Sequence, residues 1–102
     1  MQSTRLKQRW SKLDADLYLA AGNGHTRAVR VLLQNGVADP TVRNSMSIRL
    51  ASENGHVEIV RLLLEDGRAD PNVLDGYSLK HAIEERHYAV VCLLASDPRT
   101  IV

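Results

Sequence analysis

The 102-residue sequence predicts an all-α solenoid of three stacked helix–turn–helix repeats, with short loops where longer hairpins could stand. Three observations lead there. Gly24-His25 recurs as Gly55-His56 and Asp39-Pro40 as Asp70-Pro71, both at an offset of 31 residues, and a further step of 31 meets His87, Val91, Leu93 and Leu94. Between Gly24–Thr41 and Gly55–Asn72, ten of eighteen aligned positions are identical, too many for two unrelated helices. Between these signatures the apolar residues fall at three-to-four spacing, and no segment alternates as a strand does. Such a helix pair is amphipathic and cannot bury both faces alone; stacking makes the core continuous.

The segments follow in order. Within residues 1–13, Leu6, Trp10 and Leu13 stand at i, i+4 and i+7, one apolar stripe on a short helix beginning near Ser3 or Thr4. Its expected role is a cap on the first repeat, with a basic arm or a disordered tail as alternatives. Asp14 or Asp16 can cap a first helix running to Gly22 with Leu17, Ala20 and Ala21 inward. Asn23-Gly24 breaks it, and a second helix over Thr26–Gln34 turns Val29, Leu32 and Leu33 inward before Asn35-Gly36 stops it. The second repeat gives Ser47–Glu53, opened by Ser45 or Ser47, with Ile48, Ala51 and Ser52 inward. Val57–Glu65 follows, with Val60, Leu63 and Leu64 inward. The third gives Ser78–Glu85 with Leu79 and Ala82 inward, then Tyr88–Ala95 with Val91 and Leu94 inward. Asp39-Pro40, Asp70-Pro71 and Asp97-Pro98 mark the loops, since proline disfavours helix at the residue before it. The repeats therefore span about 14–44, 45–75 and 76–99, one domain, with 100–102 as a C-terminal end.

Composition narrows the functional classes. A formal net charge of +1 weighs against nucleic-acid binding as the main role. The charge is uneven, because Arg5, Lys7, Arg9 and Lys12 precede the first acid, Asp14. A single cysteine, Cys92, excludes an internal disulfide framework and suits a reducing compartment, the cytoplasm with the nucleus as alternative. No apolar run approaches the ~20 residues of a membrane span.

The repeats resemble ankyrin repeats. The family pattern T-P-L-H-x-A-A-x-x-G-H is matched by M-S-I-R-L-A-S-E-N-G-H at 46–56, and more loosely at 15–25 and 77–87, each followed by a leucine-rich helix. The period here is 31 rather than the family's 33, and the histidine position of the T-P-L-H signature holds Tyr18, Arg49 and Lys80. The resemblance implies a protein-binding module whose concave face is built from loop tips and first helices. Carried onto this sequence, it places Lys12, Arg43 and Leu74, then Asp14, Ser45 and Gly76, at the tips, with Asp75 beside them. Glu53 and Glu84 then lie on the first helices, and Met46, Arg49, Tyr77 and Lys80 occupy framework positions whose chemistry allows contact. Tyr77, Arg43 and Arg49 are of types favoured at binding hot spots. The expected partner is a protein, with no nucleic acid, membrane, cofactor or metal. The alternative is a structural scaffold that self-associates into a homodimer through incompletely capped ends, where Tyr18, Val31, Tyr88, Ile101 and Val102 are candidates for exposure.

Other conspicuous residues read as scaffold. His25, His56 and His87 recur with the repeat and are expected to stabilise turns; about 10 Å apart, they cannot share one zinc ion. His81 is expected at a surface or interface. Gly22-Asn23-Gly24 follows a helix and lacks the lysine of a phosphate loop, so it reads as a turn. Cys92 occupies the position of Arg30 and Arg61, which predicts an exposed or half-exposed thiol, and the sequence guarantees neither the base nor the electropositive pocket that a nucleophile needs. Leu64 and Asp70-x-Asn72 resemble the segment that asparaginyl hydroxylases modify in ankyrin repeats, although a structural loop role is the expectation for Asn72. No constellation supports an enzyme.

Overall fold

A computed structural model describes residues 12–101 apart from 35 and 37. The expected cap or arm at Leu6 and Trp10, with Arg5, Lys7 and Arg9, lies outside the described residues, as do Asn35, Val37 and Val102. Among the described residues there are six helices and no strand: α1 (Lys12–Asn23), α2 (Thr26–Gln34), α3 (Val42–Glu53), α4 (Val57–Asp66), α5 (Val73–Glu84) and α6 (Tyr88–Ser96). Helices pair as α1–α2, α3–α4 and α5–α6. The first helices stack as a layer, α1 on α3 on α5, and the second helices as another, α2 on α4 on α6.

The core runs through the interior between the two layers. Leu17, Val29, Ile48, Val60, Leu63 and Leu94 are fully buried, and the alanines Ala21, Ala51 and Ala82 sit where bulk would hold two helices apart. Several positions differ from expectation. Ile59 and Val90 are also buried, while Leu32, Leu79 and Val91 are only half-buried. Position in the stack explains Ile59, Val90 and Val91. Residues 28, 59 and 90 face the preceding repeat, so Ala28 in the first repeat is exposed whereas Ile59 and Val90 are covered. Residues 29, 60 and 91 face the following repeat, so coverage is complete for Val29 and Val60 and partial for Val91.

The loops close differently from the expected serine and aspartate caps. Before the regular part of α3, Arg43, Asn44 and Ser45 all adopt left-handed backbone (φ 54°, 57° and 52°), and Leu74, Asp75 and Gly76 do the same before α5 (φ 53°, 57° and 81°). Left-handed backbone costs about 1–2 kcal/mol for each residue carrying a Cβ. Each turn is closed by a backbone bond, Ser45 N–H to the Thr41 carbonyl (3.0 Å) and Gly76 N–H to the Asn72 carbonyl (3.1 Å). Arg49 adds two more, donating from Nε to the Asn44 carbonyl (3.0 Å) and from Nη2 to the Arg43 carbonyl (2.8 Å).

Neither Asp14 nor Ser45 stands at the first position of its helix. Asp14 lies within α1, 6% exposed, and its Oδ1 accepts the Asp39 backbone N–H at 2.7 Å. Ser45 Oγ accepts the equivalent Asp70 N–H at 3.0 Å. Gly76, third in that series, offers no side chain, and the equivalent Ile101 N–H donates to Asn72 Oδ1 instead, at 2.9 Å. The same Asn72 donates from Nδ2 to the Arg99 carbonyl (2.7 Å), so both ends of its amide hold the chain's last described residues.

Candidate protein-binding face

The layer of first helices and the left-handed turns carries the expected contact residues with solvent access, apart from Asp14 and Ser45. At 6% and 2% exposed and bonded to Asp39 and Asp70, these two are part of the scaffold and are withdrawn from the contact set, because each spends a side-chain oxygen on a loop amide.

Tyr77 anchors the densest part of this face. It is half-buried on α5, and its hydroxyl donates to Glu53 Oε1 on α3 at 2.8 Å. The Arg49 guanidinium lies over its ring, 5.0 Å from the centroid, within cation–π range. His81 packs beside it, its ring tilted by 42° and the centroids 3.8 Å apart. Burial, and then the bond to the Glu53 carboxylate, holds the Tyr77 hydroxyl above its ordinary pKa, so it stays a neutral donor. Tyr77, Arg49 and Glu53 are among the expected contact residues, whereas His81 is expected only at a surface or interface. The signal for His81 was its place one helical turn beyond Tyr77, where side chains at i and i+4 meet.

A second, looser contact lies towards the N-terminal repeat. Arg43, exposed on its left-handed turn, has its guanidinium 5.9 Å from the Tyr18 ring centroid. Tyr18 was not among the expected contact residues, although the 31-residue register aligns it with Arg49 and Lys80. The remaining members are dispersed. Lys12 pairs with Asp16 on its own helix (3.1 Å), and Lys80 reaches Asp75 across the adjacent turn (3.3 Å). Leu74 is 51% exposed at the third repeat's tip, Met46 is half-buried, and Glu84 is exposed with a carboxylate oxygen 3.8 Å from His81 Nδ1.

The recurring histidines belong to the scaffold, in a way the sequence did not reveal. His56 and His87 each pack against the glycine turn of the repeat before. Gly24 and Gly55 have φ of +80° and +78°, and a Cβ on either would lie 2.8 Å from the His56 ring or 2.6 Å from the His87 ring. His56 Nε2 donates to the Gly22 carbonyl at 3.1 Å, and Asn54 Nδ2 donates to the same oxygen at 2.9 Å. A G-H signature recurring every 31 residues is thus a chain of inter-repeat contacts: the histidine of one copy fills the space left by the glycine of the copy before. An ankyrin family model (three copies) matches residues 17–101. The chain belongs to the ankyrin-repeat family.

Ankyrin repeats are in general protein-interaction modules. No curated protein sequence matches this chain. Among its described residues no three histidine, cysteine or acidic side chains gather as a metal site, and no helix is long and apolar enough to cross a membrane. Shallow grooves of about 230 and 260 Å³ lie between successive second helices, the first lined by Arg30, Leu33, Leu62 and Glu65 and the second by Arg61, Leu64, Leu93 and Pro98. Both are separate from the Tyr77 cluster, whose side chains come from the first helices. Cys92 is exposed on α6.

Proposed function

We propose that this ankyrin-repeat chain binds a protein partner through the first-helix and turn face centred on Tyr77, by recognition alone. The observation that carries this reading is the fixing of Tyr77 before any partner arrives. Arg49 covers its ring, Glu53 holds its hydroxyl and His81 flanks it. An aromatic side chain already locked in one geometry loses little entropy on binding, which is what makes such residues effective anchors. Leu74 next to this cluster offers exposed apolar surface, and Arg43, Lys80 and Glu84 give a rim of mixed charge on which register can be read. Arg49 is assigned a supporting role, since two of its donors are already committed to the Arg43 and Asn44 carbonyls. Met46, Asp75 and Lys12 lie at the periphery. The exposed single cysteine suits a reducing compartment, cytoplasmic or nuclear.

Site-specific photo-crosslinking tests the assignment in the source cell. A benzophenone side chain at Leu74 should trap a discrete heterologous adduct, and one at Arg61 on the second-helix face should not. Equal trapping at both positions would refute the assignment. An adduct of two copies of this chain would replace it with self-association.

A further inference from the structure

The three repeats are not interchangeable at the surface each offers to the next. Position 24 of the first repeat, 55 of the second and 86 of the third share a left-handed backbone, with φ of +80°, +78° and +63°. The first two are glycines, and the space a Cβ would fill there is taken by the histidine ring of the next repeat, at 2.8 and 2.6 Å. The third is Arg86, which carries that Cβ and pays its left-handed strain with no glycine to relieve it. An independent change lies one helical turn earlier. Ala21 and Ser52 are each 0% exposed, small residues covered where another repeat follows. Their counterpart is Ile83, a much larger side chain that is 52% exposed.

We infer that Arg86 and Ile83 close the C-terminal face of this solenoid against in-register stacking. A further repeat docking as the second and third do would drive its histidine ring into the Arg86 Cβ, at a separation no carbon–nitrogen contact tolerates. It would also have to bury Ile83 in a space that holds alanine or serine elsewhere in the stack. The same two residues keep the first repeat of a second copy, which presents His25, from adding head to tail. Heterologous contacts of that kind build rings where the rotation closes and filaments where it does not, so blocking them guards a repeat protein against the association its own architecture invites. The exposed apolar end is therefore not a stacking surface, and self-association by solenoid extension is refused while the first-helix face remains free.

The test lengthens the chain. Duplicating residues 66–96 immediately after Ser96 places a fourth helix pair in the 31-residue register, and urea unfolding followed by circular dichroism reads whether it docks. With native Ile83 and Arg86 at the junction, the denaturant slope should equal that of the 102-residue chain, because the added pair stays unfolded. With Ile83→Ser and Arg86→Gly at the junction, the slope should rise by roughly one third, in proportion to the extra surface buried. Ile83→Ser with Arg86→Ala retains the obstructing Cβ and should behave as the native junction does. A native junction that gains the same slope as the Ser/Gly junction overturns the inference. So does a Ser/Gly junction that gains nothing.

Discussion

One added carbon at Gly55 probes the stacking of repeats at the point where they fit most closely. In Gly55→Ala the new Cβ would lie 2.6 Å from His87 Nδ1, 2.7 Å from Cε1 and 2.9 Å from Cγ, so the ring must move bodily. Holding alanine at φ +78° costs about 1–2 kcal/mol on its own. Displacing a packed ring adds about 1–3 kcal/mol, the usual cost of overpacking. The sum, about 2–5 kcal/mol, is a large share of the ~5–15 kcal/mol that holds a domain folded. The assay is a double-mutant cycle in urea with His87→Ala. Removing the ring should abolish the steric part and leave only the backbone cost, so the two substitutions should couple by about 1–3 kcal/mol. If instead their penalties add to within about 0.5 kcal/mol, the glycine and histidine do not meet across the repeats, and the interlock is refuted.

Three further outcomes follow from the scaffold. Arg99 donates to the Leu64 and Gly67 carbonyls at the end of α4, both at 3.1 Å, so Arg99→Ala should cost about 1–3 kcal/mol. Arg99→Lys should not restore it, because an ammonium cannot span carbonyls that a guanidinium reaches as a fork; full rescue by lysine in thermal melts would contradict this. Asp39 and Asp97 sit below the ordinary aspartate value of 3.8, Asp39 chiefly through the Thr41 hydroxyl and Asp97 chiefly through the Arg99 guanidinium. A lowered carboxyl binds fewer protons folded than unfolded, so its contribution is complete above about pH 5 and is lost as pH falls through 4 and below. Asp97→Asn should flatten that acid limb, and an unchanged pH profile would count against the Asp97–Arg99 pair. Leu63 is fully buried in the middle repeat, so Leu63→Ala should cost about 2–5 kcal/mol in urea, and wild-type stability in that variant would refute the packing.

Helix order and most of the core were legible because burial in a repeat follows one simple period. Leu17, Val29, Ile48, Val60, Leu63 and Leu94 can be read as inward from three-to-four spacing alone. Ile59 and Val90 could not, because they lie off the intra-repeat stripe and are buried by the preceding repeat. The left-handed turns were hidden for a different reason. Asn44, Asp75 and Gly76 tolerate that backbone, but Arg43 and Leu74 give no hint of it, and the first of the two turns is held partly by Arg49, which donates to the Arg43 and Asn44 carbonyls. For the candidate face, residue type pointed to Tyr77 and Arg49, and the resemblance to ankyrin repeats placed Glu53 on the first-helix layer. Ser45 was misassigned because a serine at a loop tip looks the same whether its hydroxyl faces solvent or a buried amide.

That misassignment shows how a repeat protein keeps its geometry while its sequence drifts. The backbone N–H of residues 39, 70 and 101 recurs every 31 residues, since backbone donors cannot vary. Its acceptor changes each time, from the Asp14 carboxylate to the Ser45 hydroxyl to the Asn72 amide. The first two occupy equivalent positions, but the third comes from the preceding loop because Gly76 has nothing to offer. Unlike residues can thus meet one fixed demand, so variation at a repeated position does not by itself mark a binding residue. Variation is informative about function only where the side chain is free of such a demand. By that criterion Leu74, Lys80 and Glu84 stay on the surface available to a partner. Ser45 leaves it, and Arg49 belongs to it only through the tyrosine that it holds.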